Sequence, residues 1–114
     1  MKTGLVIALL AGLSIPTGAG AEEWTALGGP EIRAALEGQK LVYGDGVWQT
    51  FQADGRTLYN AGRDSWGRWS VRDAQYCSTW PPNDLWACYD IQRQGQMIRF
   101  IGRGGDVTDG RLVD

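Results

Sequence analysis

Serine and aspartate are the residues through which this chain could carry out hydrolytic chemistry. A serine needs a neighbouring base to become a nucleophile, and the chain contains no histidine to supply one. Two carboxylates could instead serve as the acid and the base of a glycosidase-like reaction. The aspartates available for such a pair are Asp45, Asp54, Asp64, Asp73, Asp84 and Asp90. Because nearly all of them occupy turn-forming sequences, where aspartate bonds to the local backbone, we predict no catalytic residue and keep paired aspartates as an alternative.

Cys77 and Cys88 are the only cysteines in the chain, and we predict that they form a disulfide. A hairpin turn centred on Pro82 and Asn83 places Cys77 directly opposite Cys88, as a cross-strand bridge requires. The same register pairs Tyr76 with Tyr89 and Trp80 with Leu85. The long spacing differs from that of a redox-active Cys-x-x-Cys pair, and two thiolates without histidine do not complete a tetrahedral zinc shell. We therefore predict neither a metal site nor a cofactor.

The six tryptophans are the most unusual feature of the composition. Most of them are expected to fill the interior of a small β-barrel, where aromatic side chains pack well. Others, such as Trp66 and Trp80, stand in connections between strands. Loop aromatics beside arginine and asparagine can form a stacking surface for a glycan, an exported protein or a small aromatic ligand. The predicted ligand-binding patch consists of Arg63, Trp66, Trp80, Asn83 and Trp86.

Residues 1–21 have the pattern of a cleavable export signal. Lys2 gives a positive start, residues 5–13 are apolar, and Ala19-Gly20-Ala21 is an Ala-x-Ala cleavage site with the cut after Ala21. The apolar run is shorter than the roughly 20 residues that a membrane-spanning helix needs. We therefore predict a periplasmic or secreted protein without a membrane span, in which residues 22–114 form one β-rich domain. The net charge of −2 argues against nucleic acid as a partner.

Strands are the main elements predicted to position these residues. A helix is predicted over residues 31–37, with Ile32, Ala35 and Leu36 on one face. Short runs rich in β-branched and aromatic residues, separated by turns, predict strands near residues 40–43, 47–52, 56–60, 67–72, 75–80, 85–93 and 97–102. This spacing favours an antiparallel meander of about seven short strands forming a small barrel or curled sheet, with the helix across one open end. The tail from Gly104 is turn-rich, although Leu112 and Val113 could add a last strand.

Five short motifs lie between residues 55 and 100. They are Gly55-Arg56-Thr57-x-Tyr59, Gly67-x-Trp69-x-Val71, Tyr76-Cys77-Ser78-x-Trp80, Trp86-x-Cys88-Tyr89 and Ile98-x-Phe100. Through them the segment from Tyr59 to Arg103 resembles small secreted proteins of alphaproteobacteria whose function is unknown. The paired cysteines around Trp-Pro-Pro are the most specific part of this resemblance. It implies a β-rich exported protein and carries over no catalytic residue.

A looser similarity links the chain to exported single-disulfide β-barrel inhibitors of bacterial metalloproteases, which use an N-terminal segment against the enzyme. The corresponding segment here is Glu22-Glu23-Trp24-Thr25-Ala26. The predicted signal, the missing histidine and the many tryptophans together favour an exported, non-enzymatic protein that binds a ligand or partner or associates with the envelope. Protease inhibition through the N-terminal segment is the first alternative, and a hydrolase with paired aspartates is the second.

Overall fold

Nine strands and one helix make up residues 23–113, the part of the chain that the computed structural model describes. The strands are β1 (Thr25–Ala26), β2 (Lys40–Gly44), β3 (Val47–Phe51), β4 (Arg56–Asn60), β5 (Asp64–Arg72), β6 (Gln75–Thr79), β7 (Ala87–Gln94), β8 (Met97–Ile101) and β9 (Val107–Val113). Helix α1 (Gly29–Leu36) lies between β1 and β2, and no helix within these residues is long and apolar enough to cross a membrane. The predicted export signal lies outside the described residues.

Strands β2 to β9 form a closed antiparallel barrel, which confirms the predicted fold class. Each strand pairs with the next one along the chain, and β9 pairs back with β2 to complete the ring. The closing register joins Lys40 to Val113 and Leu41 to Leu112. Closure leaves no unpaired strand edge within the ring.

Strand β9 covers a segment whose sequence is typical of turns, because it contains Asp109 and Gly110. Both residues have partners on other strands. Arg99 of β8 donates two hydrogen bonds to the Asp109 carboxylate, at 2.8 and 3.0 Å. A Cβ atom at position 110 would lie 3.0 Å from the ring of Tyr43, so glycine leaves space for that ring inside the barrel. Neighbouring strands, rather than local β propensity, therefore stabilise β9.

Strand β1 pairs with the same edge of β7 as β6 does, further along that strand. The ladder between β6 and β7 extends to Tyr89, and β1 pairs further along β7 with Gln92 and Arg93. The next residue, Leu27, donates a backbone hydrogen bond of 2.9 Å to the carbonyl oxygen of Ile91 and packs against the core. The beginning of the described chain is thus part of the sheet.

Helix α1 packs on β5 and β6 at the end of the barrel where these two strands are joined. Its predicted apolar face, formed by Ile32, Ala35 and Leu36, is buried in the core. At the start of the helix the Glu31 carboxylate accepts a 3.0 Å hydrogen bond from the backbone N–H of Gly28, which stabilises the first turn. The helix therefore seals this end of the barrel, as the sequence predicts.

Aromatic side chains fill the barrel next to the helix. Phe51 packs edge-on against Trp69 and Tyr76, with ring centroids 5.6 and 5.8 Å apart. The indole N–H of Trp69 donates a 2.9 Å hydrogen bond to the carbonyl oxygen of Gln52, so its one polar group is satisfied. The packed core thus occupies the helix end of the barrel.

Candidate ligand-binding cup

The end of the barrel opposite α1 is open and forms a cavity of about 650 Å³, which we call the cup. Four connections surround its mouth, namely those that join β2 to β3, β4 to β5, β6 to β7 and β8 to β9. The lining residues are Tyr43, Gly44, Asp45, Val47, Gln49, Tyr59, Ser65, Tyr76, Ser78, Trp80, Tyr89, Phe100 and Thr108. A concave cavity that combines aromatic rings with a few polar groups is typical of small-molecule sites.

Aromatic rings form a large part of the wall of the cup. The rings belong to Tyr43, Tyr59, Tyr76, Trp80, Tyr89 and Phe100. They are inclined to one another: Tyr59 and Trp80 meet at 67° with centroids 6.0 Å apart, and Tyr76 and Phe100 meet at 76° and 5.2 Å. Such edge-to-face packing is the favourable geometry for aromatic pairs, and it holds the rings in fixed positions around the cavity.

A buried glutamine organises the hydroxyl groups at the floor of the cup. The hydroxyl of Tyr43 donates to Oε1 of Gln49 at 2.6 Å. Nε2 of Gln49 donates to Oγ1 of Thr57 at 2.9 Å and to the hydroxyl of Tyr76 at 3.2 Å. Thr57 in turn donates to the carbonyl oxygen of Thr50 at 2.7 Å. Both N–H groups and the oxygen of the Gln49 amide have hydrogen-bond partners. The network therefore holds Tyr43 and Tyr76 in place without leaving this buried amide unsatisfied.

Burial keeps these two phenols protonated. It raises the pKa of Tyr76 to about 12, although hydrogen bonds from Ser78 and Gln49 act in the opposite direction. Burial also raises the pKa of Tyr43, and the neighbouring tyrosines add to that increase. The floor of the cup is therefore polar but uncharged at neutral pH.

The free energy of unfolding is expected to fall as the pH rises from 10 to about 12. Unfolded Tyr76 loses its proton near pH 10 whereas the folded residue keeps it to about pH 12, so base favours the unfolded state between these values. One such phenol lowers the free energy of unfolding by up to about 1.4 kcal/mol for each pH unit in this window. Urea unfolding of the wild type and of Tyr76→Phe at pH 9 and pH 11 measures the effect. The variant should lose less stability between the two pH values, and an equal loss would contradict the raised pKa.

Gly67 makes room for Trp80 in the cup. The ring of Trp80, which follows β6, lies over Gly67 on β5. A Cβ atom at position 67 would overlap the indole and come within 2.7 Å of the carbonyl oxygen of Thr79. A buried glycine in the middle of a strand is thus explained by the close approach of another residue. The sequence alone places Gly67 at the start of a strand and gives no sign of this contact.

The five residues of the predicted ligand-binding patch do not form one surface. Trp80 lines the cup, and Arg63 and Asn83 lie in connections at its mouth. The side chain of Asn83 accepts a 2.8 Å hydrogen bond from the backbone N–H two residues later, which shapes its own connection. Trp66 and Trp86 lie on the outer surface of the barrel, where an arginine covers each ring. Trp80 is the member of the patch that the structure places inside the cavity.

Five of the six tryptophans carry a cationic side chain over the ring. The pairs are Arg33 on Trp69, Lys40 on Trp48, Arg56 on Trp66, Arg72 on Trp86 and Arg99 on Trp24, with 3.9 to 4.9 Å between the cation and the ring centroid. On the outside of the barrel these contacts shield the indoles from water. Among the described residues no lysine or arginine lies over Trp80, whose ring packs against Tyr59 inside the cup.

The tyrosines of the cup are the functional candidates that sequence reasoning missed. The predicted hairpin register already pairs Tyr76 with Tyr89, which puts both side chains on one face of the sheet. The same alternation applied to β2 and β4 would have placed Tyr43 and Tyr59 on the inner face. What the sequence lacks is the information that these four side chains meet at one end of a closed barrel.

The predicted disulfide joins Cys77 of β6 to Cys88 of β7, and the two residues face each other in the predicted register. One further pair of that register is wrong, because β6 ends at Thr79 and Trp80 does not pair with Leu85. Trp80 turns into the cup instead, and the two prolines that follow have no N–H group to continue the ladder. Leu85 is left 75% exposed in the connection.

Asp45 is the one acidic residue that lines the cup in the described chain. Three other aspartates of the proposed hydrolytic pairs accept hydrogen bonds from groups that do not line the cup. Asp54 accepts from the backbone N–H of Arg56, Asp64 from the side chain of Asn60, and Asp90 from the side chain of Gln75. Within the described residues no group of three His, Cys, Asp or Glu side chains is placed to hold a metal ion. One carboxylate therefore lines the cup, and hydrolysis by paired aspartates stays an untested alternative.

Comparison with known proteins gives this chain no family. No protein-family model, no curated protein and no solved structure matches it. The chemistry of the cup therefore has to be inferred from the residues of the chain itself.

Proposed function

We propose that this protein is an exported, non-enzymatic binding protein that holds a small aromatic or partly apolar molecule in the cup. The observation that carries the proposal is the cavity of about 650 Å³ at the open end of the barrel. Aromatic rings surround it, and the sealed helix end leaves one direction of entry. Walls of this kind remove most of a ligand's apolar surface from water, which is the main source of affinity in small-molecule sites.

The polar groups of the cup favour a ligand with at least one hydrogen-bonding group. The Tyr43 hydroxyl donates to Gln49, so its oxygen can still accept a hydrogen bond. Ser65 and Thr108 add hydroxyls that can donate or accept, and the Ser78 hydroxyl, which bonds to Tyr76, can still accept. A few fixed hydroxyls among aromatic rings orient a bound molecule, whereas a purely apolar cavity would select by shape alone.

The Cys77–Cys88 disulfide supports export, because such bonds persist in oxidising compartments and are rare in the cytosol of most bacteria. The predicted signal over residues 1–21 points the same way. Together they favour a periplasmic or secreted protein.

The alternative of protease inhibition through the N-terminal segment has less support. Trp24 lies under the guanidinium group of Arg99, 3.9 Å from the ring centroid to the cation, and Thr25–Ala26 pair with β7. These contacts attach the segment to the outside of the barrel, whereas an inhibitory segment has to reach into an enzyme's active site. We therefore favour the cup as the site of function.

N-phenyl-1-naphthylamine, an uncharged aromatic probe that fluoresces in apolar surroundings, is expected to bind the mature protein with one saturable site per chain. Ser65→Trp places an indole in the cup and should weaken this binding by more than about tenfold. Ser70→Trp adds the same side chain to the outer face of the same strand and serves as the matched control, with near wild-type affinity expected. Fluorescence titration measures all three proteins.

The tryptophans of the predicted patch give a second comparison in the same assay. Trp80→Ala should weaken probe binding because Trp80 lines the cup. Trp66→Ala should leave it unchanged because Trp66 lies outside, under Arg56. Absence of saturable binding to the wild type, or equal effects of Ser65→Trp and Ser70→Trp, would rule out the cup as the site.

A further inference from the structure

We infer that the cup selects molecules that carry a methylated or quaternary ammonium group, from the aromatic rings and the one carboxylate that line it. This inference rests on the proposed function and adds the chemical class of the ligand. Three observations support it: the distribution of cations over the tryptophans, the charge of the residue that lines the mouth, and the engagement of the one carbonyl acceptor at the floor.

The ring faces of the cup are the part of the molecule best suited to an organic cation. The face of an aromatic ring carries partial negative charge, and tryptophan and tyrosine attract cations more strongly when water is excluded. Outside the cup the chain supplies these cations itself, as Arg56 does over Trp66 at 4.2 Å. No lysine or arginine is among the residues that line the cup. Among the described residues, no lysine or arginine lies over the ring of Trp80. A cation on this ring would have to come from the ligand.

The one charged side chain that lines the cup has the sign that such a ligand needs. Asp45 is the one charged residue that lines the cup in residues 23–113, and it lies in the connection between β2 and β3. Its backbone has a positive φ of 51°, which places it at the tip of the turn. A carboxylate there attracts a cation into the cavity and repels a carboxylate or phosphate.

The hydrogen-bond pattern favours an alkylated ammonium over a bare one. A primary ammonium has three N–H donors that lose water on burial and each need an acceptor. Oε1 of Gln49, the carbonyl acceptor at the floor, already receives the hydroxyl proton of Tyr43, so the acceptors that remain at the floor are neutral hydroxyl oxygens. Methyl groups remove the N–H donors, so a methylated ammonium can lie against the rings without leaving unsatisfied hydrogen bonds.

Choline and 3,3-dimethyl-1-butanol test the inference directly, because they have the same shape and differ by the positive charge. Each is titrated into ¹⁵N-labelled mature protein while the indole N–H signal of Trp80 is followed by NMR, with sodium chloride adjusted to keep the ionic strength constant. Choline is expected to bind at least about tenfold more tightly than its uncharged analogue.

Asp45→Asn removes the charge at the mouth and keeps a residue type that tolerates a positive φ. It should weaken choline binding by about threefold or more without changing the affinity for the uncharged analogue. Asp73→Asn is the matched control, since Asp73 has a φ of 50° in the turn between β5 and β6 at the opposite end of the barrel. This variant should bind choline like the wild type.

Equal affinities for the two probes, tighter binding of the uncharged one, or no shift of the Trp80 signal with either would overturn the inference. In each case binding of N-phenyl-1-naphthylamine would still support the proposed function. If the aromatic probe does not bind, the proposed binding of aromatic molecules in the cup is contradicted. The NMR titration tests binding of the ammonium group independently of that result.

Discussion

Phe51→Ala is expected to lower the free energy of unfolding by about 3–5 kcal/mol. Phe51 is 1% exposed and packs edge-on against Trp69 and Tyr76 at the sealed end of the barrel. Aromatic and aliphatic core residues surround the ring, so the space that it leaves cannot collapse easily. The loss therefore includes both the missing burial of the ring and the cost of the cavity that remains.

Urea unfolding of three variants measures this effect. Phe100→Ala is the matched control, because Phe100 lines the cup and the space it vacates joins an open cavity. It should cost clearly less than Phe51→Ala. Phe51→Leu refills most of the volume and should restore most of the stability, which keeps the comparison informative if the alanine variant does not fold. Equal losses for the two alanine variants would contradict one sealed and one open end.

Removal of the Cys77–Cys88 disulfide is expected to lower the free energy of unfolding by about 3 kcal/mol. The bond links residues 11 positions apart and restricts the unfolded chain. It also joins β6 to β7, and the cup residues Tyr76 and Tyr89 lie on these two strands while Trp80 directly follows β6. We therefore expect probe binding to weaken together with stability, since the connection between these strands forms one side of the mouth.

Urea unfolding with and without reductant measures the contribution of the bond. The double variant Cys77→Ala/Cys88→Ala serves as the control and should match the reduced wild type, with no response to reductant. Alanine is preferred to serine because Cys77 is fully buried, and a hydroxyl there would need a hydrogen-bond partner. Equal stability of the oxidised wild type and the double variant would contradict a stabilising role for the bond.

The local part of the fold could be predicted from the sequence. Turn residues and alternating apolar residues place seven of the barrel strands within a few residues of their observed positions. The apolar spacing of Ile32, Ala35 and Leu36 predicts the helix and its buried face. The proline-rich turn predicts that Cys77 faces Cys88. In each case the residues that predict the element lie within it or only a few positions away along the chain.

The features that sequence reasoning missed, such as β1, or predicted only in part, such as β9, depend on residues far apart in the chain. Strand β9 contains Asp109 and Gly110, whose partners are Arg99 on one neighbouring strand and Tyr43 on the other. Strand β1 is only two residues long and is defined by its pairing with β7. No periodicity within a short window reports such contacts.

The candidate site was predicted only in part for the same reason. Loop position and residue type identified Trp80 but could not separate it from Trp66, which lies outside the barrel under Arg56. The distinction depends on Gly67, which lets the indole of Trp80 enter the cavity. It also depends on the closure of the barrel, which brings Tyr43 and Tyr59 to the same end.

We expect the pairing of β2 with β9 to form late in folding. The other neighbouring strands of the barrel are joined by short connections, and hairpins of this kind form on a microsecond timescale. Lys40 and Val113, in contrast, pair across the whole length of the barrel sequence. Bringing such distant segments together has a large entropic cost and slows folding. The cup draws wall residues from both β2 and β9, so we expect ligand binding to become possible only after this last, slowest contact has formed.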